Sequence, residues 1–363
     1  MTIAKNCPYV QGTPASRGYF MPAEWETHEA TWLSWPHNPT DWPDKIDTIR
    51  WVYCEIVRKI CPGESVRILV RSKTEENSAR RYLGRAGADI RRVEFIIHPT
   101  NRSWNRDSGP IFVRRRTGKK TETAIVDFHF NAWAKYPDWK KDRRVPQTAA
   151  GRLGKPLFNA QFKRREFILE GGGIDVNGRG TLLTTAECYL NRRTQVRNPG
   201  LGRREIESVL REYLGATNVF WLGKGIMGDD THGHVDDLCR FVNPATVVLV
   251  KEDRRRDGNW KALSENREKI QDLRLENGCR PEIVPLPMPE PLYFNNYRLP
   301  ASYANFYVSN AAIIVPTFND PNDRSALGIL GELFADRTVV GIHAVDLVLG
   351  FGTLHCLSQQ QPA

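Results

Sequence analysis

Apolar and polar residues follow one another along the chain in a unit that recurs. In four segments a polar residue precedes a short apolar strand, a turn and a second apolar strand, which predicts a β-hairpin. The segments are RDSGPIFVRRRTGKKTETAIVDF, EGGGIDVNGRGTLLTT, HVDDLCRFVNPATVVLV and NFYVSNAAIIVPTF. Their leading polar residues, Asp107, Glu170, Asp236 and Asn305, are spaced by 63, 66 and 69 residues. The chain is therefore predicted to repeat one structural unit.

Helical periodicity separates the predicted hairpins. Residues 203–214, between Gly202 and Gly215, present one apolar face made of Ile206, Val209, Leu210, Tyr213 and Leu214. Residues 44–60, 261–273 and 323–334 are predicted to be helices as well. Each of the four helices leads into an apolar strand, namely VRILV, NVFWL, EIVPLP and TVVGIHAVDLVL. The predicted unit is thus ββαβ.

This unit occurs about five times if EATWLSWP, near Trp32, begins the first copy and the C-terminal segment completes the ring. Regular repetition at this length predicts a closed radial arrangement, because closure protects strand edges. Equivalent polar positions would then converge on the axis. The final segment, GFGTLHCLSQQQ, would be held by strand pairing, with Cys356 as rigid as the core and a glycine-lined approach to it. The alternative is that Cys356 is a buried small apolar residue.

Composition narrows the class of protein. The chain has 363 residues, 40% hydrophobic and 26% charged, which is typical of a soluble globular protein. No stretch approaches 18 uncharged apolar residues, and the N-terminus has no apolar signal region, so neither a membrane span nor a secretion signal is predicted. Residues 1–17 are predicted to be a flexible lead-in to a single catalytic domain over residues 18–363.

Cysteine usage and net charge further narrow the class of protein. Seven cysteines without a Cys-x-x-Cys pair argue against a disulfide framework or a zinc ribbon, and favour reduced thiols in the cytoplasm. The net charge of +10 suggests nucleic acid or anionic membranes as partners. However, the basic runs at 114–116, 163–165 and 254–256 are scattered and are predicted to be solvated loops, so neither partner is expected.

The stretch GDDTHGHVDDLCRF carries candidate chemistry. His232, His234 and Asp236 alternate, so on a strand they would share one face and could bind a metal. The stretch is similar to the Thr-His-x-His-x-Asp-His signature of metallo-β-lactamase-type hydrolases, but Asp237 stands where the last histidine should be. The same residues could also act in catalysis without a metal. His234 would then be an acid or base, and Asp236 an anion that faces a cationic substrate.

Carboxylates at matched repeat positions need a cation, since unpaired buried acids are costly. Asp107 and Asp236 could grip a planar guanidinium from two sides, and Trp104 could cover its face. A guanidinium held in this way presents its central carbon to a thiolate, and the neighbouring cation would lower the pKa of the attacking Cys356. For Asp107 the alternative is a turn or cap residue, and for Trp104 simple burial.

Five motifs together resemble the agmatine deiminase / bacterial-type peptidylarginine deiminase family, one of the guanidino-group-modifying enzymes. They are MPAEWETHEATWLSWPHNP, WNRDSGP, LEGGGIDVNGRGTLLTTAECYLN, THGHVDDLCRFV and GFGTLHCLSQQQP, and the resemblance covers about residues 18–362. It implies a five-bladed, pseudo-symmetric α/β propeller of the pentein type. It also implies hydrolysis of a guanidine to a ureido group and ammonia, with no metal or organic cofactor.

The resemblance also implies roles for residues. Cys356 would be the nucleophile that forms an amidino-thioether, His234 the acid and then the base, and Glu170 the residue that orients His234. Asp107 and Asp236 would hold the guanidinium. The remaining expected substrate-binding residues are Trp104, Asn305 and Gly352.

Several alternatives remain open at the level of sequence. Agmatine is the expected substrate, giving N-carbamoylputrescine on the way to polyamines, while free arginine, another small guanidine and peptidyl arginine are alternatives. Residues 350–356 read Gly-Phe-Gly-Thr-Leu-His-Cys, where agmatine-type members usually read Gly-Gly-Gly-Asn-Ile-His-Cys, and this departure bears on the substrate's tail. Amidino transfer to an amine and a non-catalytic polyamine or nucleic-acid binder are further alternatives. A homodimer is compatible with the sequence.

Overall fold

Short strands and helices alternate along the chain in the computed structural model, which describes residues 8–118 and 120–363. The strands are β1 His28–Ser34, β2 Ser65–Val70, β3 Val93–Ile97, β4 Ile111–Thr117, β5 Lys120–Asp127, β6 Leu157–Asn159, β7 Gln161–Phe162, β8 Arg165–Glu166, β9 Asp175–Val176, β10 Thr181–Thr185, β11 Asn218–Leu222, β12 Cys239–Asn243, β13 Thr246–Lys251, β14 Glu282–Pro287, β15 Tyr293–Phe294, β16 Tyr297–Arg298, β17 Tyr307–Val308, β18 Ala312–Thr317, β19 Thr338–His343 and β20 Gln359–Pro362. The α-helices are α1 Ile46–Ile60, α2 Lys73–Arg85, α3 Asn105–Ser108, α4 Val145–Leu153, α5 Ala186–Leu190, α6 Arg203–Leu214, α7 Trp260–Lys269, α8 Asn322–Leu333 and α9 Leu354–Leu357.

Five sheets of three or four strands repeat one plan. In the sheets β4-β5-β6, β9-β10-β11, β12-β13-β14 and β17-β18-β19, an antiparallel pair is followed by a helix and a parallel third strand. The crossover helices are α4, α6, α7 and α8. The predicted ββαβ unit is therefore confirmed in each of these sheets.

The remaining large sheet, β20-β1-β2-β3, joins the two ends of the chain. Strand β20 pairs antiparallel with β1, and β1 pairs parallel with β2. The indole of Trp32 also donates a hydrogen bond to Gln361 at 2.9 Å. The prediction that strand pairing holds the C-terminal segment is confirmed. Helix α2 and strand β3 add a parallel crossover to this sheet, which the repeat pattern did not predict.

Local sequence explains where helix α6 begins and ends. The Glu205 side chain accepts a hydrogen bond from the backbone N–H of Gly202 at 3.0 Å, and Gly215 ends the helix with φ +72°. The apolar face predicted from the sequence is buried along its whole length. The other three predicted helices lie within a few residues of α1, α7 and α8.

The polar residues that lead the repeats lie on short helical turns in front of the strands. Asp107 is in α3, Glu170 precedes the 3-10 turn Gly171–Gly173, and Asp236 is in the 3-10 turn Val235–Asp237. Cys356 lies on the similar short helix α9. Helix α3 contacts both α9 and the turn 171–173, which in turn contacts 235–237. The sheets thus bring their leading turns together.

Two sequence predictions concern the surface and the N-terminus. Residues 114–116 belong to strand β4 rather than to a loop, and there Arg114 pairs with Glu26 and Arg115 with Glu122 at 2.7 Å. The first seven residues of the predicted lead-in lie outside the described residues. After them, the Tyr9 hydroxyl donates a hydrogen bond to a carboxylate, and residues 15–17 form a 3-10 turn. The described chain contains no helix that is long and apolar enough to cross a membrane.

A buried ionic network centres on Glu24. Its carboxylate lies 3.2 Å from Arg106, 3.1 Å from Arg240 and 2.8 Å from the His355 ring, and it accepts the Val308 backbone N–H at 2.8 Å. Burial raises the pKa of Glu24, but Arg240, His355 and Arg106 lower it more, so the net pKa lies well below 4.5. Glu24 is therefore an anion within the folded protein at neutral pH.

This network reaches all five large sheets, four of them directly and the β4 sheet through the short helix α3 that precedes it. Arg106 of α3 also donates to Gln360 of β20 at 2.7 Å. Arg240 of β12 also donates to Asp175 of β9 at 3.0 Å, and the N–H of Val308 comes from β17. Glu24 and its two arginines therefore tie the sheets together by charge-assisted hydrogen bonds in the protein interior.

Removing the charge at this hub should destabilise the fold. Glu24→Gln strands two buried guanidinium groups, and we expect the free energy of unfolding in urea to fall by about 3 kcal/mol at pH 7. Because the pKa of Glu24 is depressed in the folded state, its charge stabilises the wild type above pH 4.5. This stabilisation is lost as the pH falls through the folded-state pKa, so the unfolding free energies of the two proteins should converge in acid.

The matched control is Glu55→Gln, which breaks an exposed pair with Arg58 and should cost about 0–1 kcal/mol. Equal losses in the two variants would contradict a central role for Glu24.

Candidate active site

One cavity contains the C-terminal cysteine. It has a volume of ≈ 130 Å³ and is lined by Thr40, Asp41, Arg102, Trp104, Asp107, Trp133, Tyr136, Asp230, Thr231, Gly350, Phe351, Gly352 and Cys356. A larger cavity of ≈ 460 Å³ lies between α7 and the strands β13 and β14, and its lining contains neither cysteine nor histidine. The smaller cavity is therefore the candidate active site, because four of the predicted site residues meet there.

The thiol of Cys356 is held by an amide from another sheet. Asn305 donates from Nδ2 to Sγ at 3.1 Å, and its Oδ1 accepts from the Thr353 hydroxyl at 2.6 Å and the His355 N–H at 3.1 Å. Asn305 was predicted to bind substrate, and the structure places it outside the cavity lining. Its hydrogen bonds hold the loop that carries Cys356.

Glycines leave room for the aromatic wall behind the thiol. A Cβ at Gly352 would lie 2.8 Å from the Trp104 ring and 3.0 Å from the Cβ of Cys356. A Cβ at Gly350 would lie 2.7 Å from both Trp104 and Trp42. The glycines of the C-terminal motif therefore allow the two indoles to pack against the loop. The ring centroids of these indoles are 5.2 Å apart.

Two aspartates face the thiol from separate sheets. Asp107 accepts hydrogen bonds from the Trp133 indole at 2.9 Å and the Gly172 N–H at 3.0 Å. Asp236 Oδ2 lies 3.7 Å from the Cys356 sulfur, while its Oδ1 has no hydrogen-bond partner within the described chain. A buried carboxylate oxygen without a donor is an acceptor waiting for a ligand.

The two aspartates differ in their pKa. The pKa of Asp107 is raised to about 6, because burial and the charges of Asp236 and Glu170 outweigh the lowering effect of His234. Burial also raises the pKa of Asp236, but the hydrogen bond and charge of His355 outweigh it, so the net pKa falls below 3.8. At neutral pH both therefore carry negative charge, Asp107 in the cavity lining and Asp236 beside the Cys356 sulfur.

His234 lies between two of the acids. Its Nδ1 is 3.8 Å from Asp107 and its Nε2 is 3.8 Å from Glu170, and neither nitrogen has a hydrogen-bond partner among residues 8–118 and 120–363. Burial lowers the pKa of His234, but the charge of Asp107 and contacts with Cys188 and Glu170 raise it well above 6.5. His234 is therefore an imidazolium at neutral pH and can donate a proton.

Glu170 is fixed by an arginine that sequence reasoning missed. Arg197 Nε lies 3.0 and 3.3 Å from the two Glu170 oxygens, and both side chains are fully buried. Burial raises the pKa of Glu170, but Arg197 and His234 lower it further than burial raises it. Arg197 lies in the polar stretch NRRTQVRNPG, where no periodic pattern distinguishes it from its solvent-exposed neighbours.

His355, next to Cys356, is a second residue that the sequence did not assign. Its ring lies 2.7 Å from Asp236 and 2.8 Å from Glu24. It therefore links the cavity aspartate to the hub that joins the sheets. Its position beside Cys356 was the available signal, but only the fold shows which carboxylates it contacts.

The structure separates the residues of the metal hypothesis. Residues 231–237 are not a strand: His232 and Gly233 have φ of +65° and +94°, and a 3-10 turn follows. The prediction that His232, His234 and Asp236 share one face of a strand is therefore wrong. The His232 ring contacts the Asn191 amide at 2.9 Å instead.

A different set of side chains has metal-ligand spacing. In the part of the chain that the structure describes, one group of His, Cys, Asp and Glu ligand atoms lies within 4.8 Å of one another, made of Glu170, Cys188 and His234. Arg197 already occupies the Glu170 oxygens. Cys188 is fully buried and does not line the cavity, which separates it from Cys356.

Together, these groups favour a reaction between a thiol and a cation. The cavity lining offers the Cys356 thiol, the Asp107 carboxylate and the Trp104 ring, with Asp236 and the His234 imidazolium behind them. Burial, followed by the charges of Asp236, Asp237 and Asp107, raises the pKa of Cys356 well above 9. A bound cation would neutralise those acids and lower the thiol pKa.

Comparisons with known proteins point to the same chemistry. The model of the Porphyromonas-type peptidyl-arginine deiminase family matches residues 20–362. The chain is 36% identical to the agmatine deiminase of Stutzerimonas stutzeri, over 97% of each protein. It is similar in structure to the agmatine deiminase of Enterococcus faecalis, with a TM-score of 0.88, 30% identity, and 97% and 98% of the two chains covered. A Cys-to-Ser variant of C. jejuni agmatine deiminase with substrate bound has a TM-score of 0.83 and 30% identity, covering 98% of each chain.

The high thiol pKa predicts how Cys356 reacts in the free protein. Its alkylation by iodoacetamide should be slow at pH 7 and rise about tenfold per pH unit to pH 9 without a plateau, since only the thiolate reacts. Mass spectrometry of the C-terminal peptide measures this rate. The exposed Cys279, quantified in the same digests, serves as the reference thiol. A plateau at or below pH 7 would contradict the raised pKa.

Proposed function

The chain belongs to the Porphyromonas-type peptidyl-arginine deiminase family, and from this premise we propose that it hydrolyses agmatine to N-carbamoylputrescine and ammonia. It is a hydrolase that acts on C–N bonds in linear amidines. The observation that carries the proposal is that Cys356 and Asp107 line one small cavity, with Asp236 3.7 Å behind the Cys356 sulfur. Curated relatives named agmatine deiminase support the choice of substrate.

Binding would use the carboxylates of Asp107 and Asp236. The guanidinium places its N–H donors against Asp107 and the free Oδ1 of Asp236, while Trp104 covers its planar face. The cation thereby supplies the positive charge that the acids lack. It also stabilises the thiolate of Cys356, because the same acids raise the thiol pKa while the site is empty.

The first half-reaction forms a covalent intermediate. The Cys356 thiolate attacks the central guanidinium carbon, and a C–S bond forms. His234 gives its proton to one amino group, the C–N bond breaks, and ammonia leaves. The product of this step is a positively charged amidino-thioether, and His234 is now neutral. Its raised pKa supports the acid role, and Glu170, held by Arg197, orients the ring.

The second half-reaction restores the enzyme. Neutral His234 takes a proton from water, and the resulting hydroxide adds to the amidino-thioether carbon. The C–S bond then breaks and releases the thiolate of Cys356. The hydroxyl proton of the product passes to solvent, where it converts ammonia to ammonium, and the neutral ureido product leaves. With that proton counted, atoms and charge balance without an oxidant or a cofactor. Cys188 takes no part in this scheme, because Cys356 is the cysteine that lines the cavity.

The arrangement of the sheets also belongs to the proposal. The five sheets form the blades of a propeller of the pentein type, with residues 18–363 as one catalytic domain. Contact of all five sheets with the network around Glu24, and pairing of β20 with β1, support this arrangement. Free cysteines throughout residues 8–118 and 120–363 support a cytoplasmic location.

Ammonia release tests the function directly. Wild type should release ammonia from agmatine faster than from arginine or a blocked arginine peptide, and it should remain active in EDTA. Cys356→Ala should lower kcat by about four orders of magnitude or more while agmatine still binds. The control Cys279→Ala, at an exposed cysteine, should leave kcat unchanged. Appreciable turnover by Cys356→Ala would rule out Cys356 as the nucleophile.

Packing at Gly172 gives an independent test of the site geometry. A Cβ there would lie 2.5 Å from the His234 ring and 3.0 Å from oxygens of both cavity aspartates. Gly172→Ala should therefore lower kcat/KM by about 100-fold, as expected for a displacement of catalytic groups on the order of 1 Å.

Gly84→Ala is the matched control, because nothing lies within 4 Å of a Cβ at that position in α2. It should retain full activity. A fully active Gly172→Ala variant would mean that the described packing is not that of the working site.

A further inference from the structure

The cavity that contains Cys356 has a second group of charged residues. Asp41, Arg102, Tyr136 and Asp230 line it together with Trp104, and none of the four takes part in the chemistry proposed above. A guanidine substrate carries an alkyl tail beyond its reacting end. The four residues are therefore candidates for recognising what that tail carries.

Asp41 has an oxygen without a partner. Its Oδ1 pairs with Arg102, whereas Oδ2 makes no hydrogen bond of normal geometry to any described residue. The Asp41 side chain is only 2% exposed, so water does not replace the missing donor at its surface. An unpaired oxygen on a buried carboxylate is costly, and a bound donor would relieve that cost.

The neighbouring charges are already paired. Arg102 also contacts Asp138 at 3.3 Å and lies over the Tyr136 ring at 4.2 Å. Asp230 accepts from Lys135 and from the Tyr136 hydroxyl, one at each oxygen. Asp41 is thus the acid of this group with an open acceptor, and the arginine is shared between two carboxylates.

Resting on the proposed deiminase function, we propose that Asp41 binds the distal ammonium group of the substrate through its free Oδ2. The site would select aliphatic guanidines that end in a primary amine. A tail with an α-carboxylate would meet two aspartates, and the one nearby guanidinium in the described lining is already neutralised. Asp41 is then a specificity-determining residue for the same cavity.

The ionisation of Asp41 supplies a second readout. The pKa of Asp41 is raised to about 7, because burial and the charge of Asp138 outweigh the lowering effects of Arg102 and of the nearby Trp104 indole. The other titratable groups that interact with Asp41 are Asp142, Tyr53 and Tyr136. Because Asp41 is charged above about pH 7 and neutral below it, KM for an amine-bearing substrate should fall as the pH rises from 6 to 8.

Two substrates and two variants test the proposal. Agmatine and butylguanidine share the guanidine and the four-carbon chain, but only agmatine carries the amine. Asp41→Asn should raise KM for agmatine about tenfold with little change in kcat, and leave KM for butylguanidine unchanged. The control is Asp138→Asn, because Asp138 is the other partner of Arg102 but does not line the cavity. This variant should change both KM values by less than about threefold.

The outcomes separate this proposal from the function beneath it. If wild type releases ammonia from neither compound, the deiminase function fails. If wild type uses both compounds with equal kcat/KM, or Asp41→Asn weakens both equally, the role of Asp41 is overturned while the deiminase function stands. Should Asp41→Asn fail to fold by circular dichroism, the wild-type pH profile decides. A pH-independent ratio of the two KM values between pH 6 and 8 overturns the proposal.

Discussion

Buried negative charge around a small cavity is the constraint on which the rest of the structure depends. Asp107, Glu170, Asp236 and Asp237 are almost entirely removed from water. Arg197 compensates Glu170, but Asp236 keeps an oxygen without a donor. Buried carboxylates in this arrangement are stable only when cations compensate them, so the site favours binding of a flat, multiply donating cation. In the proposed reaction, the guanidinium that reacts would also complete the electrostatics of the site.

The fold holds these acids in place by a second layer of charge. His355 contacts Asp236 on one side and Glu24 on the other, and Glu24 binds two buried arginines. The hub that joins the sheets is thus continuous with the wall of the cavity. Stability of the fold and ionisation of the site are therefore linked through the same hydrogen bonds.

Reactivity of the thiol follows from the same electrostatics. Burial and three nearby aspartates keep the Cys356 thiol protonated in the empty protein. A bound cation would reverse their effect, so in the proposed mechanism the thiolate forms when the substrate binds. The pKa of His234 is also raised by nearby acids, which in that mechanism keeps a proton on the imidazole for the leaving amino group.

The sequence by itself determined the repeating ββαβ unit and the helix α6 with its glycine boundaries. These follow from periodicity and local backbone preference, which neighbouring residues carry without help from the rest of the chain. The residues expected at the site came from resemblance to a family. Only the tertiary structure decided that Asn305 holds the thiol, that His232 contacts Asn191, that Arg197 and His355 pair with the buried acids, and that Asp41 lines the cavity. Each of these depends on contacts across tens to hundreds of residues, and the strength of a buried charge interaction is set by distance and burial, which local sequence does not encode.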